Sequence, residues 1–298
     1  MCGWIFPGWR RMGPDDRGHV QAKRPWPRAL ASRHLDVLPV WDFRLRARRI
    51  HRTLFWTLWE HREVRHLRRT SGVGPDATVA VVVPTFRRAE LLRSALGSVL
   101  AQTFTDFTVL VVDDGGGQVQ SLPPDPRVRL VRLSRNTGVL GMVNNIGIRL
   151  TRSHYTALLN DDNRWRTDHL ERAVQALESG ADLVYTGMRR HLEDDTEVDV
   201  LAVPFDRRAL RWRSFTDSSS LVMRRLPGMV FSRAPRGKSD FPKEDWEFVW
   251  RYSRRLRTRL VPTVTVDYLI HDGSYLTDWQ GFWKRRARGE DSDHEFTA

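Results

Sequence analysis

FTVLVVDD, residues 107–114, is an apolar run that stops at two adjacent carboxylates, Asp113 and Asp114. Apolar runs of this kind are typical of strands buried on both faces of a parallel sheet. The strand ends on two like charges, which repel unless a cation or water offsets them. Working outward, TVAVVVP (78–84) reads as a preceding strand and VRLVRL (128–133) as a following one. YTALLN (155–160) is a fourth strand, and it runs straight into Asp161 and Asp162. Helical spacing separates these runs in RAELLRSALGSVLAQ (88–102), GVLGMVNNIGIRLT (138–151) and TDHLERAVQALES (167–179), and ADLVYTGMRR (181–190) returns to a strand. Strands alternating with helices of this length predict an α/β fold with a mainly parallel central sheet flanked by helices.

Open sheets of this class bind their ligands beyond the carboxyl ends of the strands. That rule gathers the Pro84-Thr85-Phe86 turn, Asp113, Asp114, Asp161 and Asp162 along one rim. A divalent cation with oxygen ligands, Mg2+ or Mn2+, would relieve so many carboxylates. Further along, KEDWEFVWR (243–251) puts Glu244 and Asp245 at the start of an amphipathic turn. Acids favour helix starts for the dipole alone. A carboxylate there can also take a proton from an attacking hydroxyl.

The chain has 298 residues, 40% of them hydrophobic, and a net charge of +13. Its single cysteine, Cys2, excludes an intramolecular disulfide and fits a reducing cytoplasm. The first residues lack the pattern of a secretory leader, and no stretch reaches the roughly 18 apolar residues of a membrane span. Residues 1–77 hold 16 Arg and Lys against 7 Asp and Glu, and 6 of the 12 Trp. Only 4 of the 49 basic residues are Lys, a bias that codon usage explains, so nucleic acid is not the expected partner. Residues 1–38, rich in Pro, Gly and Arg, read as disordered. Residues 40–69 read as a helix, packed on the main domain or lying against a membrane surface. SGVGPDA (71–77) is a linker. The expected organisation is a basic, Trp-rich extension over 1–77, the α/β domain over 78–275 and a tail over 276–298.

Four blocks stand in a telling order: VVVPTFRRAELLRSALGSVLAQTFTDFTVLVVDDG, NTGVLGMVNNIGI, YTALLNDDNRW and KEDWEFVWR. Together they resemble glycosyltransferase family 2, inverting enzymes with the GT-A nucleotide-sugar fold, and within it the spore-coat polysaccharide type. The resemblance runs from about residue 78 to 255, more loosely to 275. It implies that Pro84, Thr85 and Phe86 line a base pocket, with Phe86 stacking. Asp114 would accept a hydrogen bond from the base N3–H, which favours UDP or dTDP, and Asp113 would shape that turn. Asn145 would face the nucleotide. Asp162 would bind Mn2+ or Mg2+ directly, with Asp161 holding ribose or a metal-bound water. Asp245 would be the general base, with Glu244 as runner-up. Asn160 departs from the family's usual acid. His271 is either a group folding over the metal or diphosphate, or an ordinary loop histidine. Asp217 is an acceptor-side candidate.

These residues imply a metal-dependent, inverting transfer of a sugar to a hydroxyl acceptor. No Q-x-x-R-W motif is present, so single transfers by a cytoplasmic enzyme are expected, peripheral to the inner membrane face through residues 40–69, with a homodimer as a further partner state. Two alternatives stand beside this reading. A nucleotidyltransferase of similar fold would carry a glycine-rich loop after the first strand, where this chain has TFRRAE. A degenerate transferase would bind membrane or nucleic acid without catalysis.

Overall fold

The computed structural model of the protein describes residues 38–71, 77–237, 240 and 242–271. The segment expected to be disordered, the linker and the tail fall wholly or largely outside them. Two helices come first, α1 (Leu38–Arg48) and α2 (Ile50–Thr70). An alternating series follows: β1 (Val79–Thr85), α3 (Ala89–Leu100), β2 (Phe107–Asp113), β3 (Val128–Arg132), α4 (Leu140–Leu150), β4 (Tyr155–Leu158), β5 (Arg164–Trp165), α5 (His169–Glu178) and β6 (Leu183–His191). The chain then forms β7 (Glu197–Leu201), α6 (Arg207–Leu210), β8 (Leu221–Arg224), α7 (Glu244–Tyr252) and β9 (Thr258–Leu269).

The strands form one sheet in the order β3-β2-β1-β4-β8-β6-β9-β5, with β7 paired to β6. Its first four strands are parallel, as the apolar runs of β1 and β2 predict; β3, at the edge, interleaves Val and Leu with Arg. Every residue of β1 and β2 is buried. Past β4 the pairing turns antiparallel at β8, and β6 then pairs parallel with β9.

Helix α4 lies close on β1 because Gly147 leaves room: a Cβ there would stand 2.3 Å from Val82 Cγ1. Pairing sets Thr85 beside Asp113 and Val82 beside Leu158, so the ends of β1, β2 and β4 share one edge.

The N-terminal helices are built into this body. Val64 and Leu67 of α2 are buried in the main core with the strands. Glu60 is 0% exposed and receives Arg149 Nη1 at 2.9 Å and Arg233 Nε at 2.7 Å. Glu63 accepts from the Ser134 backbone at 2.6 Å and from its hydroxyl at 2.9 Å. Trp41 of α1 packs edge-on against Trp246 of α7, ring centroids 6.0 Å apart. The sequence alone divides the chain at residue 77; the packing joins α1 and α2 to the sheet body.

Candidate active site

The rim is anchored by one hydroxyl and one guanidinium. Thr85, the last residue of β1, donates its Oγ1 hydrogen to Asp161 Oδ2 at 2.7 Å. Arg88 Nη1 reaches Asp162 Oδ2 at 2.8 Å and Asp161 Oδ1 at 3.4 Å. Arg88 therefore supplies the cation that two adjacent carboxylates require. Asp161 is turned inward; burial, and then the charge of Asp162, push its carboxyl up to about 6. Asp162 stays more open at the rim, and His271 Nε2 stands 3.2 Å from its Oδ2. The segment after β9 thus brings His271 to the Asp162 carboxylate.

The other side of the rim is the turn after β2. Asp113 accepts from the backbone N–H groups of Gly116 at 2.7 Å and Gly117 at 2.9 Å. Gly115 is required here: its φ is 75°, and a Cβ would lie 2.6 Å from the Arg135 carbonyl carbon. Phe86 is 37% exposed beside this turn, with the Arg87 guanidinium 5.1 Å from its ring centroid.

Asp114 is more firmly held than the sequence suggests, and the expectation for Asn145 needs correction. Asp114 is buried and accepts from Thr137 N at 2.9 Å, Thr137 Oγ1 at 3.1 Å and Gly138 N at 3.1 Å. It fastens the Asn136-Thr137-Gly138 loop, so any contact to a base would share oxygens already engaged. Burial pushes its carboxyl up to about 6 against those bonds. Asn145 does not face the rim at all. Its amide donates to Glu60 Oε2 at 3.2 Å and to the Phe231 carbonyl at 3.1 Å, and its oxygen accepts from Phe231 N at 2.7 Å. The helical spacing that puts Gly147 against β1 turns Asn145 toward α2 instead.

Across the rim, Asp217 and Asp245 come into electrostatic range of each other. Asp245, near the start of α7, accepts from Trp246 N at 2.8 Å. Burial first, then the charge of Asp217 and that of Glu244, push its carboxyl up to about 7. Asp217 caps the short 3-10 turn Ser218–Ser220, accepting from Ser219 N at 2.7 Å. Burial, with a contribution from Asp162, pushes it up to about 6. Both residues keep some exposure.

The same 3-10 turn clasps the Asn160–Asn163 loop. Ser218 Oγ donates to Asn160 Oδ1 at 3.1 Å, while Ser219 Oγ accepts from Asn160 N at 3.2 Å and Asn163 Nδ2 at 2.8 Å. An amide at Asn160 suits this clasp, where an acid would meet no donor but a hydroxyl. Arg88 and the serine turn are the parts that sequence reading missed. Arg88 was legible as a cation directly after a strand end; the serines carried no signal.

Among the described residues no three His, Cys, Asp or Glu side chains form a metal cage. Asp162 and His271 converge as one carboxylate and one imidazole, a donor pair that suits a divalent ion completed by ligand oxygens.

Residues 80–223 match the family model described as glycosyl transferase family 2. Just under half of the chain is thus similar to family 2 glycosyltransferases. It is similar to the succinoglycan biosynthesis protein ExoO of Rhizobium meliloti (strain 1021), 32% identical over 163 residues, 53% of this chain and 42% of that one. It is also similar to the poly(ribitol-phosphate) beta-N-acetylglucosaminyltransferase TarP of Staphylococcus aureus (strain N315), 29% identical over 118 residues, 36% of this chain and 35% of that protein. The chain thus spans less than half the length of these two relatives.

Among solved structures, S. aureus TarS 1–349 in complex with UDP-GlcNAc superposes with a TM-score of 0.54 at 16% identity, over 67% of this chain and 60% of that one. The mannosyltransferase PcManGT of Pyrobaculum calidifontis, in complex with GDP-Man and Mn2+, gives 0.52 at 19% identity, over 84% and 73%. The fold is GT-A.

Proposed function

We propose that this protein transfers a sugar from a UDP or dTDP donor to a hydroxyl acceptor in a single, inverting displacement. One observation carries the reading: a match to family 2 glycosyltransferases in which Asp161 and Asp162 are gathered with Thr85, Arg88 and His271 at one rim of the sheet. The base would lie against Phe86, over the turn that Asp113 holds. Arg88 and His271 flank the place where the diphosphate would sit. A Mn2+ or Mg2+ ion held by Asp162 and His271 would stabilise negative charge on the leaving diphosphate. That the neighbour PcManGT was solved with Mn2+ supports this.

Asp245 takes the acceptor hydroxyl's proton as the new oxygen–carbon bond forms at the anomeric carbon. The bond to the diphosphate breaks on the opposite side, and its electron pair leaves with the phosphate oxygen. A carboxyl raised to about 7 suits this task, because it can hold or release the proton near neutral pH. We also take the catalytic unit to begin at α1 rather than at residue 78, and to work on the cytoplasmic side of the membrane.

Incubation with a panel of nucleotide sugars and Mn2+ tests the reading. One UDP- or dTDP-sugar should raise the melting temperature and be slowly hydrolysed in the absence of acceptor. No shift with any donor, with or without Mn2+, would contradict it.

A further inference from the structure

Nine large hydrophobic side chains are prominently exposed among the described residues, and five of them belong to α1 and α2: Phe43, Ile50, Leu54, Phe55 and Leu58. They are 52–72% exposed. Ile50, Leu54 and Leu58 recur at a spacing of four, so they form a stripe along one side of α2. Phe55 extends that stripe into an aromatic ridge, meeting Trp56 edge-on at 5.1 Å, and Trp56 meets Trp59 at 5.5 Å. The opposite side of α2 is spoken for by Glu60, Glu63, Val64 and Leu67, all buried in the body.

Charge is sorted in the same way. Residues 38–71 hold nine Arg and three acids. All three acids turn to protein partners: Asp42 to Arg46, Glu60 to Arg149 and Arg233, and Glu63 to Ser134. Arg44 and Arg48 of α1 remain exposed, as do Arg52, Arg62 and Arg65 on the same helix as the apolar stripe.

We propose that this face of α1 and α2 docks on an anionic lipid bilayer, with the stripe in the headgroup–acyl boundary and the surrounding arginines on lipid phosphates. A helix with large apolar side chains beside clustered Arg is the composition that lies in the interface plane. Charge complementarity selects this occupant. A second copy meeting the same face would set arginines against arginines, with no acid on that face to neutralise them. Five side chains also fall well short of the about 20 to 30 residues per partner in a standard interface. No helix among the described residues is long and apolar enough to cross a membrane, so contact in the plane is what α2 itself can make.

The test is vesicle flotation of the full chain. Wild type should float with vesicles of 70% phosphatidylcholine and 30% phosphatidylglycerol, remain behind with phosphatidylcholine alone, and lose most of its binding as salt rises to 0.5 M. Replacing Ile50, Leu54 and Leu58 together by Gln should weaken flotation about tenfold or more without lowering the thermal midpoint, since these side chains are exposed. A second variant, R52Q/R62Q/R65Q, should lose the preference for phosphatidylglycerol, and it decides the matter if the apolar variant misfolds. Flotation unchanged in both variants would overturn the proposal. So would a lipid-free wild-type dimer, seen by light scattering, that the apolar variant dissolves, because the stripe would then belong to a second copy. Failure of flotation leaves the transferase reading untouched, since nucleotide binding is measured without lipid.

Discussion

On the β1–β2–β4 side of the rim, each carboxylate stands at or just past the end of a strand and is held either from its own turn or from the end of the neighbouring parallel strand and the segment that follows it. Asp113 is held by the next turn's N–H groups, and Asp161 and Asp162 by Thr85 and Arg88 from the end of β1. On the α7 side, Asp245 owes its position to residues scattered along the chain. Trp41 packs on Trp246, Arg46 binds Glu247 at 2.8 Å, and Phe231 stacks on Phe248 at 4.0 Å. Glu60 in turn holds Asn145 and Arg233, beside Phe231. The rim where we propose that the nucleotide binds is a property of adjacent parallel strand ends. The α7 side, where we propose the general base, is a property of the whole body, including helices that precede the family's matched region.

The largest expected effect separates the two sides by function. Asp245→Asn should lower transfer by about 100-fold to 10,000-fold, the worth of a positioned base, while leaving donor affinity nearly intact. Glu244→Gln should do much less. Single-turnover rates beside calorimetric donor binding measure both. A reversed order would move the base to Glu244.

A second expectation concerns the long-range scaffold. Glu60→Ala leaves Arg149 and Arg233 without their buried partner, so it should cost about 3–5 kcal/mol in urea unfolding. A cost below about 1 kcal/mol would return α2 to the status of an appendage.

This contrast also explains what was legible in the sequence. The strands of the parallel half, the helices and the rim carboxylates follow from apolar period and from the rule that ligands meet strand ends. The KEDW start of α7 was readable as a helix with paired acids. Asn145 was not readable: its neighbour in space, Phe231, lies 86 residues away, and a helix face cannot be assigned before its packing partners are known. The donors that hold Asp114 were not readable either, since the Thr137–Gly138 loop arrives only after β3. The serine clasp on Asn160 is a contact between two loops with no periodic signal.

A smaller effect is expected in the pH dependence of stability. Unfolded Asp245 loses its proton near pH 4, whereas in the folded chain burial, Asp217 and Glu244 keep it protonated up to about 7. Between those values the folded state binds more protons, so this group makes stability fall as pH rises from about 4 to about 7. Asp245→Asn stays neutral throughout. It should match wild type near pH 4 and become the more stable of the two by pH 8, in thermal melts across that range. Equal slopes would mean that Asp245 is solvated like a surface acid.

The most direct test of the central claim is calorimetric titration of UDP into the full chain and into Asp162→Ala, each with Mn2+ and with excess chelator. Wild type should bind UDP in Mn2+ and lose at least about tenfold in affinity under chelator, about 1.4 kcal/mol. The variant should bind weakly in both conditions, because the ion's carboxylate is gone. Equal UDP affinity in all four titrations would contradict a metal-assisted nucleotide site at the Asp162 rim.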